Sequence, residues 1–289
     1  YYPIEPTPFD PNALPDELVE ATGGDVVTDY TDADGRKWRV HDFLSSGLFD
    51  VSAPGDIEFL IVAGGGGGGA LGGGGGAGGL VPLTKSRIRI GSHSVVIGAG
   101  GSPGSTPGDS SSTARHGNRG NTAEFFGFSA TGGGGGHGNT TASSGQVNGG
   151  SGGGNALHVN GSPGPPGSGM EYRGNDGGPV SVKFRGGGGG GAGGDGESPS
   201  DNSGGLGGAG KQINLAGSQE ILAAGGSGGF NLTNDGSPFP APGVEGGAAS
   251  DEDGPVNSGG GGGGGNYDGS YRTPGSGASG RVIIRYRIA

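Results

Sequence analysis

Uninterrupted glycine is the feature that most constrains how this chain can fold. Five runs of five or more glycines occur, at residues 64–69, 72–76, 132–136, 186–191 and 259–265. Glycine has no side chain to fill a core, and it loses more conformational freedom on folding than any other residue. The runs are therefore either structureless loops or an ordered element built almost entirely from backbone.

The length of the glycine-rich excursions argues against loops. The excursions, at residues 63–79, 98–179 and 185–280, are separated by short β-like segments. Compact domains rarely contain structureless loops longer than about 12–15 residues. Because ordering a residue costs about 1–2 kcal/mol, we expect the excursions to adopt a regular, hydrogen-bonded structure that offsets this cost.

The punctuated runs indicate the period of that structure. "GGSGGG" (149–154), "GGLGGAG" (204–210) and "GGSGGF" (225–230) place a larger residue at every third position. The polyproline II helix has three residues per turn and rises about 3.1 Å per residue. Without Cβ atoms, such helices can stack side by side and hydrogen-bond to one another, as in polyglycine II.

Such a lattice predicts two kinds of position. The pure runs suit its interior, and the predicted lattice core comprises Gly64, Gly66, Gly134, Gly188 and Gly262. Residues at the third positions are expected to point outward from a decorated edge. They are Leu206, Ala209, Ser227 and Phe230.

Alternating apolar residues predict strands, mainly within residues 25–62, 80–98, 180–184 and 281–289, with a further short one at 125–128. The fold class predicted is all-β: a small, jelly-roll-like β-sandwich carrying an array of packed polyglycine II helices, with almost no α-helix. The first and last strands should close one core. We expect Trp38, Phe59, Ile61 and Ile284 to be buried in it together.

The turn "DADG" at residues 32–35 has two interpretations. It fits a hairpin between the strands around Tyr30 and Val40. It also begins like a calcium loop, but the acidic twelfth ligand of that pattern would fall at Phe43. The hairpin is the better interpretation.

Composition excludes several classes of partner. The formal net charge is −11, apolar residues make up only 28 %, and cysteine is absent. No basic face is present for nucleic acid, no apolar run is long enough for membrane insertion, and neither disulfides nor thiolate metal sites are available. No cofactor is indicated. The chain starts at Tyr1 without methionine, so we expect an upstream segment.

Residues 1–24 read as a proline-rich arm, followed by the glycine-rich domain at 25–289. The arm is interpreted either as a docking segment for a neighbouring subunit or as a plain linker, and 15–21 could form a single helical turn.

Other glycine motifs fit poorly. "GSPGPPGSG" (161–169) is too short for a collagen triple helix. The run that starts at Gly64 satisfies the dinucleotide-binding pattern only trivially, since no helix or acidic partner follows.

No catalytic constellation is visible in the sequence. The five histidines are scattered without a ligand-like spacing, so we interpret them as surface residues and expect no metal site and no enzyme. These histidines are at positions 41, 93, 116, 137 and 158.

Four segments that interrupt the glycine combine aromatic rings with Asn and Asp, at residues 155–160, 170–176, 230–243 and 266–275. This mixture suits contact with sugars or partner pockets. Simple turn chemistry between antiparallel helices is the alternative. The candidate receptor-binding residues are His158, Tyr172, Phe230, Phe239, Tyr267 and Tyr271. Sequons at Asn139, Asn160 and Asn231 are expected to be chance matches.

The stretches "RKWRVHDF", "DIEFLIVAGGGGGG" and "SGRVIIRY" resemble the glycine-rich domains of bacteriophage tail-fibre and other virion proteins. The excursions resemble those of tail-fibre tip adhesins and, more distantly, the glycine-rich extracellular domain of anaplastic lymphoma kinase. The resemblance implies a sandwich base, a polyglycine II array and loops displayed at its far end.

The function that this resemblance implies is a non-enzymatic one at the virion surface. The chain would be a tail-fibre tip or head fibre that contacts a host-surface glycan or protein, joined to other virion subunits through its arm. The alternative is a structural subunit of an extracellular filament or coat, located at the cell surface and without a receptor role.

Overall fold

The computed structural model describes residues 18–105, 115–139, 146–156, 167–169, 174–180, 185–200, 203–215, 217–230 and 241–288. All regular elements in these residues are β-strands. They are β1 (Glu20–Thr22), β2 (Val26–Thr31), β3 (Lys37–Phe43), β4 (Gly47–Ala53), β5 (Gly55–Val62), β6 (Leu80–Ile88), β7 (Gly91–Val96), β8 (Ala123–Phe125), β9 (Phe128–Ala130), β10 (Lys211–Asn214), β11 (Gln219–Leu222) and β12 (Arg281–Arg287).

Two five-stranded antiparallel sheets form a sandwich. Sheet I has the order β1-β4-β7-β8-β9, and sheet II has the order β2-β3-β12-β5-β6. The inward residues of both sheets alternate along each strand and bury Phe49, Phe59, Phe125, Ile284 and Tyr286 in one cluster. The prediction of an all-β fold with a small β-sandwich is confirmed.

The central strands of sheet II, β3, β12 and β5, are buried on both faces. The hairpin of β10 and β11 covers its outer face, where Leu215 and Leu222 pack against Val40, Leu60 and Ile283. This explains why β5 alternates only at its start and ends in a continuous apolar run at residues 59–62.

The outer face of sheet II also holds Trp38, which corrects the expectation that it shares a core with Phe59, Ile61 and Ile284. Trp38 is buried, but its ring packs under the guanidinium of Arg285, 4.4 Å from the ring centroid. The same guanidinium donates to Glu58 at 2.6 Å.

The predicted hairpin is confirmed, whereas the predicted arm and one of the short strands differ from the structure. The "DADG" hairpin is confirmed, because β2 and β3 pair across it. Residues 20–22 form β1 and pair with β4, so the segment expected to be an arm contributes its end to sheet I and has no helical turn there. Residues 125–128 form a hairpin turn between β8 and β9 rather than one strand. Most of the predicted strand at 180–184 lies outside the described residues.

The glycine excursions form an array of extended segments whose backbone hydrogen bonds repeat every third residue. Segment 63–70 donates in turn to three neighbouring segments, 115–122, 272–280 and 72–79, all of which run in the opposite direction. Partner numbers fall by three at each turn, as a threefold helix requires. The bonds run from Gly64 and Gly67 to Asn121 and Asn118, from Gly65 and Gly68 to Ala278 and Gly275, and from Gly66 and Gly69 to Gly76 and Gly73.

The carbonyl groups of segment 63–70 face three further segments, 98–105, 131–139 and 259–265, which run in the same direction. These segments donate from Gly101 and Gly104, from Gly133 and Gly136, and from Gly262 and Gly265. Segment 63–70 is thus surrounded on all sides by backbone that either accepts from it or donates to it, at 2.8 to 3.1 Å. The array is polyglycine II.

The glycines expected in the lattice core have no space for a side chain. All five are buried. An ideal Cβ would lie within about 2 Å of a neighbouring carbonyl oxygen at each of them: 2.1 Å at Gly64, 2.1 Å at Gly66, 1.8 Å at Gly134, 1.8 Å at Gly188 and 2.2 Å at Gly262.

The decorated edge differs from the expectation. Ala209 is exposed and Leu206 is half-buried, but Ser227 and Phe230 are buried. Ser227 Oγ donates to the carbonyl of Pro242 at 2.7 Å. The prediction that Ser227 points outward is wrong, because residues 241–250 pack over this segment and a small polar side chain can hydrogen-bond to their backbone.

Two glycine-to-alanine substitutions test the lattice. In Gly262→Ala the new methyl would meet the oxygen of Gly275 at 2.2 Å, so neighbouring segments must separate. We expect a loss of at least about 2 kcal/mol, from hydrogen bonds worth about 1 kcal/mol each. At Gly194 the nearest atom is 3.9 Å away, so Gly194→Ala should change stability by less than about 1 kcal/mol. Urea unfolding monitored by Trp38 fluorescence measures both, and equal tolerance would contradict the lattice.

Candidate functional site at the far end of the array

The array has two distinct ends. At its base, Ala63 and Gly79 are hydrogen-bonded to each other where β5 leaves and β6 begins. At its far end, Ala70 donates to the carbonyl of Arg115 and accepts from the amide of Asn139. The parallel segments 63–70, 131–139 and 259–265 therefore all reach this end, which lies farthest from the sandwich.

The described chain enters and leaves at the opposite end of the molecule. β12 runs away from the array and reaches Arg287 at the end of the sandwich remote from it. β1 is antiparallel to β4, which is antiparallel to β7, and β7 runs toward the array. Glu20 therefore also lies at the remote end.

The best-defined feature of the far end is a tyrosine turn, residues 267–272. Tyr267 and Tyr271 form an isolated antiparallel bridge with ring centroids 4.7 Å apart. Gly269 lies between them at a φ of +105°, where a side chain would be strained. The carboxylate of Asp268 accepts from Arg272 Nη2 at 2.7 Å, and this pairing lowers the pKa of Asp268. Tyr271 is 49 % exposed.

Asn266 anchors the tyrosine turn to the array. Its amide and Nδ2 donate to the carboxylate of Asp251 at 2.7 and 2.5 Å, and its Oδ1 accepts from the amide of Phe230 at 2.9 Å. Burial raises the pKa of Asp251, and the hydrogen bonds from Asn266 oppose that shift. Tyr267 in turn donates to the carbonyl of Phe230. The turn is therefore anchored through Asn266 by a network of buried and partly buried hydrogen bonds.

Only part of the sequence-predicted site is brought together. Phe230, Tyr267 and Tyr271 meet at the tyrosine turn, but Phe230 is 3 % exposed, so its ring is buried and does not face solvent. His158, Tyr172 and Phe239 lie outside the described residues.

The described residues that flank these three in sequence lie at different distances from the sandwich. Ala156 bridges Gly186 and Ala241 hydrogen-bonds to Ser250, both toward the far end. Gly174, by contrast, lies against the backbone of Gly150, nearer the base.

The expectation that the histidines are surface residues is wrong for three of them. His41, His116 and His137 are buried, not surface residues. His41 hydrogen-bonds to the hydroxyl of Tyr286 in the sandwich core. Sequence gave no signal for this, because the partners of His41 are contributed by distant strands.

His116 and His137 form a buried pair near the far end, with ring centroids 5.1 Å apart. His116 Nδ1 accepts from the amide of Gly138 at 3.1 Å. Burial, together with the neighbouring His116, lowers the pKa of His137 to about 4. The adjacent charged group is Arg115, whose Nη1 donates to the carbonyl of Asn139.

The sequon residue Asn139 is 6 % exposed. Asn160 and Asn231 lie outside the described residues. Within the described ranges, no group of three or more His, Asp or Glu side chains is arranged to hold a metal ion. Nor does that part of the chain contain a helix long and apolar enough to cross a membrane.

The family model for the glycine-rich domain matches residues 45–287, which covers most of the chain. The chain belongs to the glycine-rich domain family. The match begins within the sandwich and ends in β12, so the glycine-rich domain here includes both the array and most of the sheets that carry it. No curated protein matches the chain.

The buried histidine pair predicts a pH dependence. Folding depresses the pKa of His137 below its ordinary 6.5. The folding stability that depends on the neutral imidazole is therefore fully present above pH 6.5 and is lost as the pH falls toward 4. Between pH 7.5 and 5 this amounts to about 2 kcal/mol. His137→Gln should therefore lose less stability than the parent over this interval. Urea unfolding at both pH values checks this, and an unchanged pH dependence would contradict it.

Proposed function

We propose that this glycine-rich domain is a non-enzymatic display module of a virion, the tip of a tail fibre or head fibre, that presents its far-end loops to a receptor on the host surface. One observation carries the proposal. The described chain enters and leaves at the end of the sandwich remote from the array, whereas the aromatic turn lies at the far end of the array. One end is thus available for attachment to other virion subunits, and the other for contact.

The array supplies the rigidity that display requires. At about 3.1 Å per residue, an eight-residue segment extends about 25 Å. Each interior segment is hydrogen-bonded on all sides, so loops at its end are held at a fixed distance from the sandwich. A preorganised surface loses less conformational entropy when it binds.

The chemistry of the tyrosine turn suits recognition. Tyr271 is half exposed, and tyrosine presents a large amphipathic surface with few rotatable bonds. Asp268 and Arg272 add polar groups beside it, and because their ion pair is exposed it contributes little to folding stability. A glycan or a protein of the host surface is the class of receptor that this mixture fits.

The second candidate is a structural subunit of an extracellular filament or coat. It is favoured by the same hydrogen bonding, since a lattice that satisfies its own backbone resists local opening and proteolysis without any receptor. The two candidates differ in whether the far end matters for attachment.

Loop exchange tests the proposed function. Replacing residues 157–166, 231–240 and 267–271 together by Gly-Ser loops of equal length should abolish binding of the fluorescently labelled chain to bacterial strains that the parent binds. Val256→Ala is the matched control, because Val256 is 85 % exposed but adjoins the base of segment 259–265. This control should bind as the parent does.

Two results would favour the filament instead. They are undiminished binding by the exchange variant, and failure of the parent chain to bind any strain in a broad panel. Trp38 fluorescence confirms that each variant is folded.

A further inference from the structure

An open groove of about 560 Å³ lies on sheet I, away from the array. It is formed where β7 faces the hairpin of β8 and β9. Its volume falls within the range of about 300–1,000 Å³ typical of small-molecule sites. The residues that give it its chemistry are Ser92, His93, Ser94, Glu124, Phe126 and Phe128.

The polar groups of the groove are available to a ligand. Within the described residues, the hydroxyls of Ser92 and Ser94 and the carboxylate of Glu124 have no hydrogen-bond or ion-pair partner. His93 is oriented by a bond from its Nε2 to the carbonyl of Arg89 at 2.9 Å. Since a neutral imidazole that donates through Nε2 accepts through Nδ1, the ring offers an acceptor.

The aromatic part of the groove is placed at a conformational cost. Phe126 and Gly127 turn the hairpin with φ values of 51° and 78°, as in a type I′ turn. Asn or Gly is the usual residue at the first of these positions, so a phenylalanine there is unfavourable for the turn. Its ring packs edge-on to His93 at 5.5 Å, and Phe128 nearby is 38 % exposed.

We infer that this groove binds a neutral pyranose sugar. A pyranose has a C–H face that packs on an aromatic ring and hydroxyls that both donate and accept. Phe126 supplies the ring, Glu124 and His93 supply acceptors, and Ser92 and Ser94 supply hydroxyls of both kinds. Among the described residues that line the groove, Glu124 is the only formally charged one and no Lys or Arg is present, which disfavours anionic ligands. A simple ammonium ligand would leave the serine hydroxyls unused.

This site is independent of the proposed display function. The groove lies on the sandwich and the tyrosine turn lies at the far end of the array, so neither needs the other. A sugar bound here would be a second, separate contact of the same molecule.

Ligand-observed NMR titration of the full chain tests the inference. The probes are methyl β-D-glucopyranoside, methyl β-D-galactopyranoside and methyl α-D-mannopyranoside, with N-acetylneuraminic acid and choline as charged comparisons. At least one neutral glycoside should bind in the millimolar range, as expected for a single sugar ring in an open site. Phe126→Asn keeps a residue suited to the type I′ turn while removing the ring, and should weaken binding at least tenfold. Glu124→Gln should weaken it less.

Glu20→Gln, on the exposed edge strand β1 of the same sheet and separated from β7 by β4, is the matched control and should bind as the parent does. The exchange of residues 157–166, 231–240 and 267–271 should also leave sugar binding intact, so failure of the groove and failure of the display function are separable. The inference is overturned if no neutral glycoside binds, if only a charged probe binds, or if Phe126→Asn binds as well as the parent.

Discussion

Direct hydrogen bonding between bare backbones is the interaction on which this structure depends. Ordinary domains keep their elements apart with side chains, and most of their stability comes from burying those side chains. Here the segments approach until a carbonyl of one receives the amide of the next, and a Cβ at Gly65 or Gly66 would already overlap a neighbouring oxygen. Each interior glycine contributes a net bond of about 0.5–1.5 kcal/mol, which is comparable with the cost of ordering it. A single segment would not be stable alone, but a packed array is.

The sandwich sets the position of the array. β5 leads directly into segment 63–70, segment 72–79 returns into β6, and segment 272–280 ends in β12. Neighbouring strands thus fix the starting points of neighbouring segments at the base. The hairpin of β10 and β11 is held on the outer face of sheet II. There Arg281 donates hydrogen bonds to both Asp42 and Glu220. Side-chain packing in the sheets and backbone packing in the array are therefore parts of one fold.

Sequence predicts the elements that follow from local pattern. The glycine runs, their period of three and the alternation in β3, β5 and β12 were enough to predict an all-β sandwich carrying a polyglycine lattice.

Sequence could not predict which segments would be neighbours, because identical glycines do not specify their partners. That is why Ser227 and Phe230 were expected at the edge. Residues 241–250 cover Ser227, and Phe230 is hydrogen-bonded to Asn266 and Tyr267, but nothing in "GGSGGF" indicates either contact. Trp38 was assigned to the wrong face because sheet II is apolar on both sides. The pairing of His116 with His137, and the anchoring of Asn266 by Asp251, likewise arise from contacts between segments distant in sequence.

Amide hydrogen exchange of the glycine runs tests the central claim most directly. The account predicts that amides at residues 65–69, 73–76, 133–136 and 261–265, which all donate to neighbouring segments, exchange far more slowly than free-coil peptides. Gly269, in the exposed tyrosine turn, provides a rapidly exchanging reference within the same molecule. Free-coil exchange rates throughout these runs would contradict the hydrogen-bonded lattice and, with it, the rigid display argued from it.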